Sequence, residues 1–357
     1  MGTNILGPGQ ARSRPEIADG DGLEIIVGSR GSALALWQTE WVVNALRQQA
    51  DAPRYRIQVI KTRGDMTQSS HMPLTQLGDK ALFVAELERA LLAGAVDLTI
   101  QPMNDRALVE AEQVLTALQP IDMAVHSLKD LPSQLTPGLT IAAIPEREDA
   151  RDVLISRSGK KLDELPEGAR VGTSSLRRQA QLLHRRPDLR IVQIRGNIDT
   201  RIRKALAADG PDAVVLAAAG VHRLGLSEVI CEYFPFDVMM PAVGQGALAV
   251  ETRAVDERIR HLVMAIDHLP TRCAVAAERA VLLALGAGCL VPVGAHAEFD
   301  AQTGMLWLQA IVARPDGREL LRASCRGPAD KPEALGRAVA ADLLAQGASA
   351  ILRQARP

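Results

Sequence analysis

Six arginines carry the strongest chemical signal in this chain. Arg30, Arg177, Arg178, Arg195, Arg201 and Arg223 each fall at or just after a stretch that reads as the end of a β-strand. A planar guanidinium pairs bidentately with carboxylate or phosphate. Any one of these alone reads as a surface arginine, but six at equivalent positions point to a small polyanion. Ile121 to Pro132 adds an acid, a base and a hydroxyl. There a short apolar run, Met123 to Val125, leads into His126, Ser127, Lys129 and Asp130. The plain reading is a strand followed by a solvated turn. The chemical reading is a cluster of acid, base and hydroxyl groups presented at a strand's carboxyl end, as α/β sheets present them. Cys289 lies in Leu285 to Pro292, among Gly286, Ala287 and Gly288. It reads as a small buried hydrophobe with little to pack against, as a metal ligand without partners, or as a nucleophile or attachment point on a loop. The third reading fits its setting best, and no metal site is expected.

The elements that must position these groups alternate between strands and helices, which indicates βαβ units and parallel sheets. Leu23 to Val27 reads as a strand, Gly28 to Ser32 as a small-residue turn, and Ala33 to Gln48 as an amphipathic helix. Free N–H groups and the positive end of the helix dipole make such a turn an anion pocket. Arg170 to Arg178 repeats this logic, with Thr173, Ser174 and Ser175 available to cap a helix that runs through Arg186. Further strands are read at Tyr55 to Lys61, Thr140 to Ile144, Val153 to Ser156, Leu189 to Ile194 and Pro211 to Gly220. Met240 to Glu251 reads as a glycine-interrupted strand crossing back to the first domain. Asp256 to Leu285 reads as helical with a break near Leu269-Pro270, and the chain closes with three strand-like runs and a helix, Pro332 to Leu344.

Composition narrows the classes. A chain of 357 residues is long enough for two or three cores, and 47% hydrophobic with 23% charged residues is ordinary for a soluble globular protein. A net charge of −1 and 3% aromatics argue against a nucleic-acid track or a membrane surface. No apolar run approaches the ~20 residues of a membrane span. Residues 1–22 lack a signal-peptide core and read as a disordered tail. Cysteines at 231, 273, 289 and 325 have no metal-type spacing, so reduced thiols and a cytoplasmic location are expected.

One stretch is present twice. Phe83 to Asp105 and Leu108 to Asp130 superpose at an offset of 25 (83 to 108), with Asp97 on Asp122 and Asp105 on Asp130. This reads as a duplicated helix–strand unit, against the alternative of two similar amphipathic units. Only the second copy has His126, Ser127 and Lys129; the first has Gln101, Pro102 and Asn104. Chemistry that needs a cation beside the carboxylate therefore belongs to the second.

Ser29 to Gln38, Thr62 to Asp65, Lys80 to Glu88, His126 to Pro132, Gly172 to Arg178, Arg195 to Asn197, Arg223 to Gly225, Pro241 to Ala247 and Gly288 to Pro292 run in order along nearly the whole chain. On these segments the sequence resembles the porphobilinogen deaminase (hydroxymethylbilane synthase) family. The resemblance implies an α/β fold: two periplasmic-binding-protein-like domains with mixed, mainly parallel sheets, and a small C-terminal α+β domain. The expected boundaries are 23–147 with 243–263 for the first domain, 148–242 for the second and 264–357 for the third, with the duplicated insertion near 96–120. It also implies a dipyrromethane cofactor on a thioether to Cys289, four porphobilinogen molecules joined with loss of ammonia, and hydrolytic release of the tetrapyrrole. Asp130, with Lys129, takes the catalytic position. Cofactor contacts fall to Arg177, Arg178, Lys129, Ser175, Arg195 and Thr173. Substrate contacts fall to Arg30, Ser32, Lys80, Phe83, Arg201, Arg223 and Gln245. A monomer that hands its product to uroporphyrinogen-III synthase is expected.

The chain departs from the family pattern at Asp79, His222 and Leu290, and above all in the duplication. The extra unit either loops out, leaving the second copy in the sheet, or displaces the native strand; the excursion is the expected outcome. If the sheet were disrupted, the chain would instead be an inactive or regulatory paralogue or a two-lobed carboxylate-binding protein.

Overall fold

A computed structural model describes residues 24–62, 84–93, 120–286 and 291–355 of the chain. The expected tail, residues 1–22, lies outside them. Three sheets organise the molecule. The first has the order β2-β1-β3-β10-β4, built from β1 (Glu24–Ser29), β2 (Arg54–Val59), β3 (Met123–Ser127), β4 (Leu139–Ala143) and β10 (Leu248–Arg253). Helix α1 (Ala33–Arg47) covers one face, where Ile25, Val27, Met123 and Val125 meet Val42, Val43 and Leu46. Helix α2 (Ala85–Ala93) covers the other, setting Leu87, Ala90 and Leu91 against Ile121 and Ala124. With both faces buried, the strands are apolar on both sides. Gly28 is required by this packing, because a Cβ there would strike the side chains of Ile121 and Leu87.

The second sheet has the order β7-β6-β8-β5-β9: β5 (Asp152–Ser156), β6 (Arg170–Gly172), β7 (Arg190–Val192), β8 (Ala213–Ala217) and β9 (Glu232–Tyr233). Helices α3 (Leu176–Arg185), α4 (Ile198–Leu206) and α5 (Ala218–Arg223) accompany it. Both of these sheets are mixed, with as many antiparallel as parallel pairs among their described strands. The antiparallel pairs all involve β10 or β5, the first strand after each passage between the two lobes. The third sheet is the antiparallel meander β11 (Val293–Asp300), β12 (Met305–Ala313) and β13 (Leu320–Pro328). After α6 (Glu257–Val263), the helix α7 (Leu269–Ala284) packs on the meander with α8 (Pro332–Ala345) and the short α9 (Ala348–Ala355).

Two segments pass between the first lobes, after β4 and before β10. The run read from sequence as one strand from Met240 to Glu251 is a turn followed by β10. Gly244 (φ 70°) and Gly246 (φ 89°) take left-handed backbone that other residues avoid. At Gly246 the two passages touch: Glu148 N–H donates to the Gly246 carbonyl (3.3 Å), and a Cβ on residue 246 would collide with the Glu148 carbonyl oxygen. One carboxylate from the third lobe holds the crossing. Fully buried Glu278 accepts from Arg147 Nη1 (2.6 Å), Arg147 Nη2 (3.2 Å), Gly244 N (2.7 Å) and Ala297 N (2.9 Å). Both passages and β11 thus meet on a single side chain.

Candidate functional site

The segments that follow β1, β3, β6 and β8 meet across the cleft between the first two lobes, where Arg223 stands over Trp37 and Asp130 is felt by Arg201. On the first lobe, Ser32 caps α1 through Ala35 N–H (3.3 Å), with half-buried Arg30 just before it. β3 delivers a single 3-10 turn, Leu128–Asp130, which leaves Lys129 and Asp130 half-buried. That strand is fixed by polar contacts along its length. Asp122 accepts from Ile26 N–H (2.9 Å) and from Arg253 (3.2 Å). His126 Nε2 lies 3.0 Å from Glu251, both buried, and Ser127 exchanges hydrogen bonds with Gln38. Burial raises the pKa of neighbouring Glu88 above its ordinary value; Glu251 adds to this, while the Thr136 hydrogen bond and His126 oppose it.

On the second lobe, Ser175 caps α3 through Arg178 N–H (3.5 Å), and the buried Thr173 hydroxyl accepts from Ser175 N–H (3.2 Å). Arg177 and Arg178 lie behind this turn rather than on the cleft surface. Arg177 donates to Asp152 (2.7 Å) and the Met240 carbonyl (2.6 Å). Arg178 donates to Asp152 through Nε (3.1 Å) and Nη2 (2.7 Å), and to the Val215 carbonyl (2.9 Å). Burial works against ionisation of Asp152, but the charges and hydrogen bonds of the two arginines outweigh it and hold the carboxyl far below its usual range. One carboxylate facing two guanidiniums leaves one positive charge in excess at this wall.

That excess is felt on the same lobe, at Arg201. Arg201, half-buried and donating to the Gly196 carbonyl (2.8 Å), has its pKa lowered to about 10 by burial and by Arg178, while Asp130 of the opposite lobe pulls the other way. Arg223 reaches from α5 to the Gly246 carbonyl (2.7 Å) and stands 5.9 Å over the Trp37 ring of α1. Burial lowers its pKa to about 10 against the attraction of Glu148. Among the described residues neither guanidinium has a carboxylate within ion-pair distance, its hydrogen-bond acceptors being main-chain carbonyls, the condition in which an incoming carboxylate binds well. Arg195 lies half-buried shortly before α4.

Gln245, expected to touch substrate, is fully buried in the crossing instead. Its Nε2 donates to the Ala150 carbonyl (2.8 Å) and Asp152 (3.0 Å), and its Oε1 accepts from Lys129 (3.5 Å). It therefore joins the Lys129 turn of one lobe to the arginine-bearing Asp152 of the other. Asp152, Glu251 and Glu278 were not singled out from sequence. Their side-chain partners Arg177, His126 and Arg147 lie 25, 125 and 131 residues away, and no local pattern marks the pairing.

Lys80, Phe83 and Cys289 lie outside the described residues, as do Asp97 and Asp105 of the first copy. Val291, two positions after Cys289, lines a cleft with Leu128, Lys129, Arg279 and Leu282, so the end of the cysteine loop opens onto the back of the Lys129 turn. Among the described residues no group of three His, Cys, Asp or Glu side chains is arranged to hold a metal ion. The duplication does not interrupt the sheet. The strand of the second copy lies between β1 and β10, paired with both.

Comparison with known proteins gives a consistent family. The model described as porphobilinogen deaminase, dipyromethane cofactor binding domain, matches residues 25–118 and again 109–261. The model for the porphobilinogen deaminase C-terminal domain matches residues 272–345. A porphobilinogen deaminase of Desulforudis audaxviator is 47% identical over 333 residues, 93% of this chain and 98% of its own. That of Gloeobacter violaceus is 48% identical over 334 residues, 92% of this chain and 93% of its own. Among solved structures, the methionine binding protein MetQ is similar at a TM-score of 0.39 and 14% identity, covering 68% of this chain and 89% of that one.

Proposed function

The chain belongs to the porphobilinogen deaminase family, and we infer from this premise that the cleft is the active site of a hydroxymethylbilane synthase. The enzyme is a transferase. It joins four porphobilinogen molecules head to tail with loss of ammonia, and water releases the linear tetrapyrrole. The observation that carries the reading is Asp130 at the end of β3, within electrostatic reach of Arg201 on the opposite lobe.

The residues present fit a covalent dipyrromethane. Its acetate and propionate groups need cations, its pyrrole N–H groups need an acceptor, and the cleft holds both: under-compensated Arg201 and Arg223, and the Asp130 carboxylate. When bound, this group supplies the pyrrole carbon to which the first substrate is joined. Cys289 is our proposed attachment point. In this reading Arg30, Ser32, Lys80, Thr173, Ser175, Lys129 and Arg195 hold carboxylates around it, and Phe83 packs near the pyrroles. Arg177 and Arg178 act through the positive field they maintain with Asp152, and Gln245 acts by holding Lys129. Asp130 accepts hydrogen bonds from pyrrole N–H groups, gives a proton to the departing amine, and stabilises the cation left on the pyrrole.

Domain boundaries at 147/148, 242/243 and 263/264 belong to the same proposal, supported by where the three sheets begin and end. So does a cytoplasmic location, supported by Cys231, Cys273 and Cys325 being free thiols. Action as a monomer and hand-over to uroporphyrinogen-III synthase complete it.

Intact-mass measurement tests the assignment. The purified chain is expected to carry an increment equal to two linked pyrroles, and Cys289→Ser to lack it. Turnover of porphobilinogen should fall about 10²- to 10⁴-fold in Asp130→Ala, the range for a lost general acid, and persist in Asp105→Ala. An unmodified wild-type chain, or equal turnover in both alanine variants, refutes the reading.

A further inference from the structure

The duplicated unit is assembled crosswise. Helix α2 (Ala85–Ala93) comes from the first copy, whereas β3 (Met123–Ser127), against which it packs, comes from the second. The family model also matches residues 109–118 twice, at the end of one pass and the start of the next, so this part of the second copy resembles the family in both passes. We propose that the buried surroundings of the sheet select the helix of one copy and the strand of the other, and that residues 96–120 are dispensable for the fold and for the placement of Asp130.

Position-by-position comparison supports both halves of the choice. In the helix slot, Leu87, Ala90 and Leu91 are fully buried against Gly28, Ile121 and Ala124. At the offset of 25 the second copy offers Glu112, Leu115 and Thr116 there. It would bury an acid in place of Leu87 and overfill the space of Ala90. Sliding by one residue brings Ala111 and Val114 to the first two places, leaving a void at one and excess bulk at the other.

In the strand slot the preference reverses. Ala124 is fully buried and Leu131 is packed among Val84, Leu128, Ile144 and Val275. The first copy offers Thr99 and Arg106 at these places, a hydroxyl and a guanidinium in an apolar site. Gln101 would stand where His126 meets Glu251, and Pro102 where Ser127 meets Gln38. Asp122 does not discriminate, because Asp97 reproduces it.

The ends of the crossed pair already touch. Ile121 N–H donates to the Ala90 carbonyl (3.2 Å), and Arg253 Nη1 donates to the carbonyls of both Leu91 (3.0 Å) and Ile121 (2.7 Å). Gly94 and Ala95 alone, each adding at most ~3.6 Å of reach, suffice to link Ala93 to Ile121. Removing a long excursion between abutting ends changes chain entropy little.

Three deletions of 25 residues test the idea. Deletion of 96–120 keeps the first helix with the second strand, deletion of 83–107 keeps the whole second copy, and deletion of 108–132 keeps the whole first copy. The 96–120 variant is expected to unfold within about 3 °C of the full chain and to retain kcat within about threefold. The other two are expected to melt at least about 5 °C lower or to yield no folded protein. Point variants Leu87→Glu and Leu131→Arg, made in the full chain, should each lower the melting temperature. A 96–120 variant that melts as low as the others, or either of the others matching the full chain, overturns the proposal. The melting readout is independent of the reaction assigned above.

Discussion

Asp152 shows how one buried acid can govern several cations. Without it, Arg177 and Arg178 would face each other in a site that excludes water, and Gln245 would lose an acceptor. Asp152→Asn leaves both cations uncompensated and is expected to cost about 3–5 kcal/mol of stability, measured by urea unfolding. The sign with pH follows from its depressed pKa. The carboxylate's contribution is fully present above pH ~4, the ordinary carboxylate value, and is lost only in stronger acid. At this scale the sequence was readable in part. Arg30, Lys129, Asp130, Arg201 and Arg223 were singled out by type and position, because strand ends can be located from local periodicity. Their depth and partners could not be. Arg177, Arg178 and Gln245 looked like ligand contacts, yet their donors go to Asp152 and to main-chain carbonyls far along the chain.

Among the elements, α7 exerts the widest hold through Glu278. Its two oxygens tie Arg147 and Gly244 of the crossing to Ala297 of β11. Glu278→Gln keeps the shape but replaces one oxygen by a donor and removes the charge that compensates buried Arg147. It should destabilise the chain by about 3–5 kcal/mol and lower turnover, since the Lys129 turn and the crossing share Gln245. Unfolding by urea together with porphobilinogen consumption checks both; an unchanged midpoint counts against the role. Strands, helices and the turn at Gly28 to Ser32 were legible because each obeys its own local rule. Met240 to Glu251 reads as a glycine-interrupted strand; its glycines are visible in the sequence, but not that Gly244 and Gly246 turn the chain back so that the strand begins only at Leu248. The use of α2 with β3 was invisible as well, since both copies satisfy the helix and strand patterns and only the three-dimensional neighbours distinguish them.

For the whole molecule, acid sensitivity concentrates where the three lobes meet. His296 of β11 is buried beside Glu278, with the Phe236 ring 4.1 Å away. Burial, reinforced by Arg147, lowers its pKa from 6.5 to about 4, against the pull of Glu278 and Asp149. Between those values the unfolded chain binds a proton that the folded one refuses, so stability falls as pH drops from 6.5 to 4. The separation is equivalent to about 3 kcal/mol. His296→Gln should flatten the dependence of unfolding free energy on pH within that window, measured by urea titrations at successive pH values; an unaltered slope assigns the acid sensitivity elsewhere. The three-lobed plan itself was accessible from sequence, because strand–helix alternation and the terminal βββα run differ in kind.

Scarcity of aromatic residues has an optical consequence. The chain has three tryptophans; Trp41 and Trp307 are 39% and 37% exposed, while Trp37 lies within the fold beneath Arg223. Trp37 belongs to one lobe and the guanidinium above it to the other, so its emission reports their separation while the two exposed indoles supply a steady background. Any change in that separation is therefore expected to appear in the intrinsic emission, without attaching a dye.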